Sequence, residues 1–387
     1  MGVITEVTNQ SIFGRIGNSI VGMLFGFALF FGSIILLFWN EGRAVATAKS
    51  LREGAATVID VPADNINSAN ESKLIHVTGE TAVTAALQDP IFNISEKALR
   101  LRRNIEVYVW KEKKESKSRD KIGGGKETTT TYSYEKVWSP DLIKSSSFKS
   151  ADDHRNPSRL EVPKKEFVAT NATLGQFRLT PQIIGKIESD EAMEATKDQL
   201  SQVSEDFQSK LKLDGDKFYL GDDPANPEIG DEKISFGVLR PGTLSVVAAQ
   251  TKQSFAPYMT TNEREIELVE PGNHSAAQMF ANAQAANRTL TWILRAVGFG
   301  AMFFAGLLVL GPISAMARIL PFLGSLVELG FAIVSFFLSA IVSLLVIAVA
   351  WIVYRPVLGI ALIVVAIACI LMLKRLHTKH VVATGTA

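Results

Sequence analysis

Long uncharged apolar runs near both ends of this 387-residue chain, with a polar middle between them, limit its possible folds more than any motif does. The first run is Ile20 to Trp39. A hydrocarbon core of about 30 Å takes about 20 helical residues. Most of this run is Leu, Ile, Phe or Val, each worth a few tenths of a kcal/mol at mid-membrane. The sum is roughly several kcal/mol in favour of insertion, reduced by its glycines. Trp39 stands where an interfacial aromatic belongs. A cleaved signal peptide is the competing reading, since Ala44-Val45-Ala46 resembles a cleavage site. The stretch is long for that role, and Arg15 is the lone cation before it.

Ala296 to Ala317 is the second run, interrupted by Pro312, where a helix ends or kinks. Phe331 to Val353 and Pro356 to Leu373 are the third and fourth. Tyr354-Arg355-Pro356 separates these two, and proline suits the first position of a helix. Ile313 to Gly330 carries Arg318, Pro321 and Glu328 and is expected to lie along the interface. Facing a bundle interior is the other possibility for Arg318 and Glu328.

The expected fold is an α+β membrane protein. Four transmembrane helices hold a large, mainly antiparallel β-rich domain inserted between helices 1 and 2. The layout is a cytosolic tail at 1–19, a helix at 20–39 and an extracytosolic domain at 40–290. Helices follow at 291–312, 331–353 and 356–373, with a connection at 313–330 and a cytosolic tail at 374–387. Lys374, Arg375 and Lys379 beside the last helix place both tails in the cytoplasm by the positive-inside rule. Arg43, Lys49, Arg52, Arg288 and Arg295 on the domain side weaken that bias.

Alternation in Ile105 to Trp110 and in Tyr132-Ser133-Tyr134 has the period of half-buried strands. Further strands are expected at Ala56–Val61, Leu74–Gly79, Phe167–Asn171, Ile234–Leu239, Thr243–Ala249 and Ile266–Val269. A run with seven Lys or Arg and Gly123-Gly124-Gly125 reads as a long surface loop between two strands. Helices are expected at Asp190–Leu211 and His274–Arg288.

Chemistry is sparse. Net charge is +1, which gives no basis for nucleic-acid binding. Five His and one Cys are too few for most metal frameworks, and with Cys369 in the fourth run the polar middle has no thiol for a disulfide. Gly123-Gly124-Gly125-Lys126 lacks the earlier glycine and the following Ser or Thr of a phosphate loop. His154 beside Asp152 and Asp153 reads as a turn before Asn156 and Pro157 rather than a metal site. No G-x-S-x-G elbow occurs. No catalytic residue, cofactor or metal is expected.

Trp110, Tyr132, Tyr134 and Trp138 would cluster if their strands pair, as cross-strand packing or as a binding face. Gly22 and Gly26 form a G-x-x-x-G that lets helices approach closely, within the chain or between copies. Ser335, Ser339 and Ser343 share one helix face, for packing or for a pore.

Asn40-Glu41-Gly42-Arg43-Ala44-Val45 after the first helix resembles the LUMA, or transmembrane protein 43, family. Val107 to Glu112, Thr131 to Tyr134 with Trp138, and His154-Arg155-Asn156-Pro157-Ser158 continue the likeness. Gly175 to Leu179, Leu239-Arg240-Pro241-Gly242, Arg318-Ile319-Leu320 and Trp351 to Pro356 complete it, over roughly residues 20 to 375. The resemblance implies a multipass protein with a large lumenal or extracytosolic domain and cytosolic termini. Eukaryotic members of such a family organise the inner nuclear membrane and endoplasmic reticulum, self-associate, and bind membrane and lamina proteins. Prokaryotic relatives are linked to membrane stress. The family carries no catalytic residues over.

The expected function is therefore a non-enzymatic, self-associating membrane scaffold. Its partners would be the bilayer, further copies and other membrane proteins, not nucleic acid. A channel or transporter is the first alternative, and a membrane-anchored lipid-binding or lipid-processing protein the second. Short tails favour a bacterial inner membrane, with the endoplasmic reticulum or inner nuclear membrane if the chain is eukaryotic.

Overall fold

The structure, a computed structural model, describes residues 3–121, 124–317 and 321–356. In chain order the elements begin with β1 (Ile4–Gln10), α1 (Ile12–Thr57), β2 (Ile59–Asp60), β3 (Leu74–Val83), β4 (Leu87–Asp89) and β5 (Ile94–Glu96). Then come β6 (Arg100–Asp120), β7 (Lys126–Ser139), β8 (Lys165–Val168), β9 (Ala172–Leu174), β10 (Phe177–Arg178), α2 (Pro181–Gly185) and β11 (Glu191–Met193). α3 (Lys197–Gln202), α4 (Glu205–Gln208), β12 (Leu211–Asp214), β13 (Lys217–Leu220), β14 (Glu232–Leu239) and β15 (Thr243–Thr251) follow. The last are β16 (Ser254–Ala256), β17 (Tyr258–Met259), β18 (Glu265–Ile266), β19 (Leu268–Pro271), α5 (Ala276–Val309), α6 (Gly311–Ala317) and α7 (Pro321–Tyr354).

The described residues fall into two compact units. The β-rich unit takes those of Met1–Thr8, Arg52–Lys117 and Thr128–Asn282. The helical unit takes those of Asn9–Leu51, Ser118–Glu127 and Ala283–Ala387.

Among the described residues two large sheets build the β-rich unit, with two-stranded ladders β4-β5 and β17-β18 beside them. One has the order β1-β7-β6-β14-β13-β12, with β11 also on β14 and β8 on β6. The other runs β19-β15-β16-β10-β9-β3-β2, with β15 also pairing β3. Most of these pairings are antiparallel. β6 and β14 are in register at Ile105 and Ile234. Side chains alternate across a strand, so Leu101, Ile105, Val107 and Val109 go inside. Leu101 and Ile105 join a core of Phe92, Phe218, Ile234 and Phe236. The second sheet has its own core around Ile75, Val77, Leu174, Phe177 and Val246. Burying each such side chain is worth roughly 1.5–3 kcal/mol. Two buried cations brace the unit. Arg103 meets both oxygens of Asp89 at 2.7 Å. Arg100 reaches Asp190 at 2.6 Å and the carbonyls of Ile184 and Ile187.

In the helical unit α1 and α5 are antiparallel. Leu37 packs at Gly298 and Gly26 at Leu308. α7 runs back along α5, with Ser335 at Gly306 and Ser343 at Met302. Among the described residues three helices are long and apolar enough to cross a membrane: Ile12–Thr57, Ala276–Val309 and Leu326–Tyr354. Phe25, Phe31, Trp292, Phe304, Phe337 and Leu344 stand exposed on them, the surface that lipid accepts and water does not.

Several expectations need correction. The tail expected at 1–19 contains a strand, β1, on the edge of the first sheet, and α1 begins at Ile12. α1 also runs on to Thr57, because Asn40 to Thr57 has no proline and is rich in Ala, a strong helix former. That displaces the strand expected at Ala56–Val61, leaving only β2. The helix expected at Asp190–Leu211 is β11 followed by two short helices. Hydrogen bonding of Glu191 to Met193 onto β14 wins there over helix propensity. The expected loop between β6 and β7 is mostly strand, since β6 continues to Asp120. α7 starts at Pro321, so Glu328 lies within a helix rather than in a connection. Arg318, Cys369 and the tail Lys374 to Lys379 lie outside the described residues, as does the fourth run beyond Pro356.

Candidate functional site

Two places gather the residues singled out in the sequence. The first is in the β-rich unit, on one face of β6 and β7. These strands are neighbours in the sheet, so their aromatic residues meet. The turn after residue 150 brings His154 onto them. Its ring stacks on Tyr134 with centroids 3.7 Å apart, and it meets Trp110 edge-on at 4.7 Å. A ring N–H at Nδ1 of His154 donates to the Ser150 carbonyl at 3.0 Å. Asn156 holds the strand: the Trp110 N–H donates to its Oδ1 at 2.7 Å. Its Nδ2 donates to the carbonyls of Trp110 at 2.8 Å and Ile143 at 3.0 Å. Pro157 follows, half-buried.

The Tyr134 hydroxyl donates to Glu112 at 2.8 Å and accepts the Ser150 N–H. Burial first, and the Glu112 carboxylate second, push that hydroxyl above the usual tyrosine range. Trp138 packs instead on Tyr108 and Tyr219, with the Lys233 ammonium 4.6 Å from its ring centre. Tyr132 lies between the ammonium groups of Lys114 and Lys149. Its hydroxyl donates to Glu6 on β1 at 3.4 Å, and Lys149 donates to the same carboxylate at 3.0 Å. The Lys149 hydrogen bond and charge hold the Glu6 carboxyl below its ordinary range. The four aromatic residues thus divide among separate contacts: Trp110 and Tyr134 share His154, Trp138 packs on Tyr108 and Tyr219, and Tyr132 lies beside two lysines.

The second place is in the helical unit, where the apolar part of α1 gives way to Asn40-Glu41-Gly42-Arg43. Glu41 is fully buried. Arg295 of α5 grips it with Nε and Nη2 at 2.6 and 2.9 Å. Trp351 of α7 donates its indole N–H to the same carboxylate at 2.8 Å. Arg43 donates to Asn287, Asn40 and Thr291. Asn40 donates to the Thr291 carbonyl, and Asn287 to that of Ala44. Gly42 is where Tyr354 docks: a Cβ there would lie 2.6 Å from the tyrosine ring. Tyr354 also packs on Phe38, and Arg355 on Trp351.

A buried ion pair is destabilising unless both partners are fully hydrogen-bonded. Here the acid receives three donors from two other helices. Both of its oxygens are engaged in contacts that hold helices together. Sequence reasoning linked Asn40 to Arg43 with Tyr354 to Pro356 by resemblance but missed Arg295 and Asn287. It looked for intramembrane charge at Arg318 and Glu328. The available signal was Glu41 and Arg295, each at the rim of an apolar run, one acid and one base.

Gly22 and Gly26 face α5: a Cβ at Gly26 would lie 2.9 Å from Leu308 and 3.0 Å from the Ala305 carbonyl. Ser335, Ser339 and Ser343 are buried, and Ser343 donates to the Met302 sulfur at 3.6 Å. Both small-residue faces therefore pack within the chain. Among the described residues no group of three or more His, Cys, Asp or Glu is placed to hold a metal ion.

Both gathering points fall inside, or link to, a stretch that other proteins share. The family model described as Transmembrane protein 43 matches residues 107–356. This chain belongs to the transmembrane protein 43 family. It is 31% identical over 366 residues to the Mus musculus Transmembrane protein 43, covering 91% of this chain and 89% of the mouse protein. Identity to the Homo sapiens Transmembrane protein 43 is 31% over 372 residues, 92% and 91% of the two chains. The Drosophila melanogaster Transmembrane protein 43 homolog is 29% identical over 350 residues, 87% and 89% of the two. No solved structure matches. As a family member the chain is an integral membrane protein, and its family is named for the membrane and not for a reaction.

Proposed function

We propose that this chain is a non-catalytic membrane scaffold. Its helical unit is clamped into one rigid piece and presents the β-rich unit for assembly with further copies or other membrane proteins. The carrying observation is Glu41, held by Arg295 and Trp351, so that one buried acid ties α1, α5 and α7 together. A conducting or transporting device needs polar groups lining a path. The serine stripe that could have supplied them is packed against α5. The apolar run at 356–373 would add a fourth membrane helix after Tyr354. The eukaryotic relatives make the endoplasmic reticulum or nuclear membrane the favoured home, and nothing supports the bacterial preference.

Self-association is tested by mass measurement of the full chain in lipid nanodiscs. Dimers or larger assemblies are the expected result. Single copies at all protein-to-lipid ratios would overturn the scaffold reading.

A further inference from the structure

Asparagine followed two places on by Ser or Thr, with no proline between, is the acceptor pattern for N-linked sugar. In the β-rich unit it occurs at Asn70-Glu71-Ser72, Asn93-Ile94-Ser95, Asn171-Ala172-Thr173 and Asn273-His274-Ser275, and in α5 at Asn287-Arg288-Thr289. Asn156-Pro157-Ser158 is barred by its proline. The pattern alone is weak. A bulky, hydrophilic sugar also needs a surface position, and an amide free of other bonds.

The fold grades these positions. Asn287 is buried, donates to the Ala44 carbonyl and accepts from Arg43. Asn171 is half-buried and donates to the Thr84 hydroxyl. Asn70 is half-buried at the end of the short helical turn Ser68–Asn70. Asn273 is exposed, but its Ser275 is taken up in capping α5 through Gln278. His274 between them is pinned, its N–H on Ser245 and its carbonyl facing His76.

Asn93 is placed differently, in the turn of the β4–β5 hairpin. Asp89, gripped by Arg103, accepts the N–H groups of Ile91 and Phe92 and so fixes the turn. Phe92 and Ile94 are buried in the core, and Asn93 and Ser95 alternate with them and stand exposed. The amide and the hydroxyl of the acceptor pattern therefore both meet water. The Asn93 φ is +50°, a left-handed turn conformation that asparagine tolerates. Among the described residues no hydrogen bond holds its amide.

We propose that Asn93 is an acceptor for an N-linked oligosaccharide. The inference rests on the endoplasmic reticulum or nuclear-membrane home proposed above, with the β-rich unit on the lumenal side. The donor is a lipid-pyrophosphate-linked oligosaccharide, supplied with its transferase by that compartment. Nδ2 of Asn93 attacks the anomeric carbon of the sugar. A carbon–nitrogen bond forms, the carbon–oxygen bond to pyrophosphate breaks, the lipid pyrophosphate leaves, and the nitrogen gives up one proton.

The test expresses the full chain in cultured eukaryotic cells and treats it with a peptide N-glycosidase. The expected result is a gel shift that the enzyme reverses, with an aspartate left at this position in the peptide mass spectrum. Ser95→Ala should abolish the sugar at Asn93 without touching the turn, and Ser95→Thr should keep it. A second variant, Lys144→Asn, sets an acceptor before Ser145 and Ser146 on an exposed loop of the same unit. Sugar at the introduced position with none at Asn93 overturns the proposal and leaves the lumenal home standing. Sugar at neither position overturns both.

Discussion

Arg295 closes on Glu41 through two contacts of 2.6 and 2.9 Å across 254 residues of sequence. Arg295→Met should therefore leave a buried carboxylate with the Trp351 indole alone. Breaking such a pair costs about 3–5 kcal/mol. The midpoint of thermal unfolding in detergent is expected to fall sharply. Adding Glu41→Gln should recover much of the loss, because an amide tolerates burial better than an unpaired charge. Equal stability of the single variant and the wild type would refute the clamp.

Gly42 gives a steric test of the same region. Gly42→Ala puts a methyl group into the Tyr354 ring, and overpacking of this kind costs about 1–3 kcal/mol. Pairing it with Tyr354→Leu should restore part of the stability. A Gly42→Ala protein that melts with the wild type would show that Tyr354 docks elsewhere.

Gly26 and Gly22 should separate by severity. Gly26→Leu forces α1 away from Leu308 and the Ala305 carbonyl, whereas a Cβ at Gly22 meets only Leu308 at 3.8 Å. The expected order of unfolding temperature in detergent is wild type, close to Gly22→Ala, well above Gly26→Leu. A change in oligomer size with unaltered melting would move these glycines to an interface between copies.

Asn156 is the strap of the aromatic face. Asn156→Ala removes one accepted and two donated hydrogen bonds at Trp110 and Ile143. Leaving these backbone groups unsatisfied costs about 1–3 kcal/mol. Asn156→Asp keeps the acceptor and should fall between. Tryptophan fluorescence should change together with the melting temperature, and an unchanged spectrum would count against the contact with Trp110.

Acid should loosen β1. The Glu6 carboxyl titrates below its ordinary range because Lys149 stabilises the charged form. A lowered folded value means that the stabilisation is present above the ordinary carboxylate range and is lost as pH falls through the folded value. Hydrogen exchange in residues 4–10 is expected to quicken on acidification relative to the β14 ladder. Glu6→Gln should show the faster exchange already at neutral pH and lose that pH response.

Long apolar runs and strand alternation were readable from composition and period, and they located α1, α5, α7, β6, β14 and β15. Ends of elements were not, because they depend on partners distant in sequence. Glu191 to Met193 looks helical in isolation and becomes a strand only because β14 offers an edge. Lys111 to Asp120 looks like a loop by charge, and its strand character rests on pairing in the sheet. For the candidate site, the resemblance grouped Asn40 to Arg43 with Tyr354. Arg295 and Asn287 escaped notice because a charge beside a membrane run is usually counted toward orientation, and nothing local marks one as a buried partner.

Glu41 leaves the ribosome long before Arg295 and Trp351 exist. During that interval α1 carries an unpaired acid just beyond a run that enters lipid readily by itself. Its fixed place beside other helices has to wait for α5 and α7 to be made, and the knot of side chains acts as a late checkpoint on assembly.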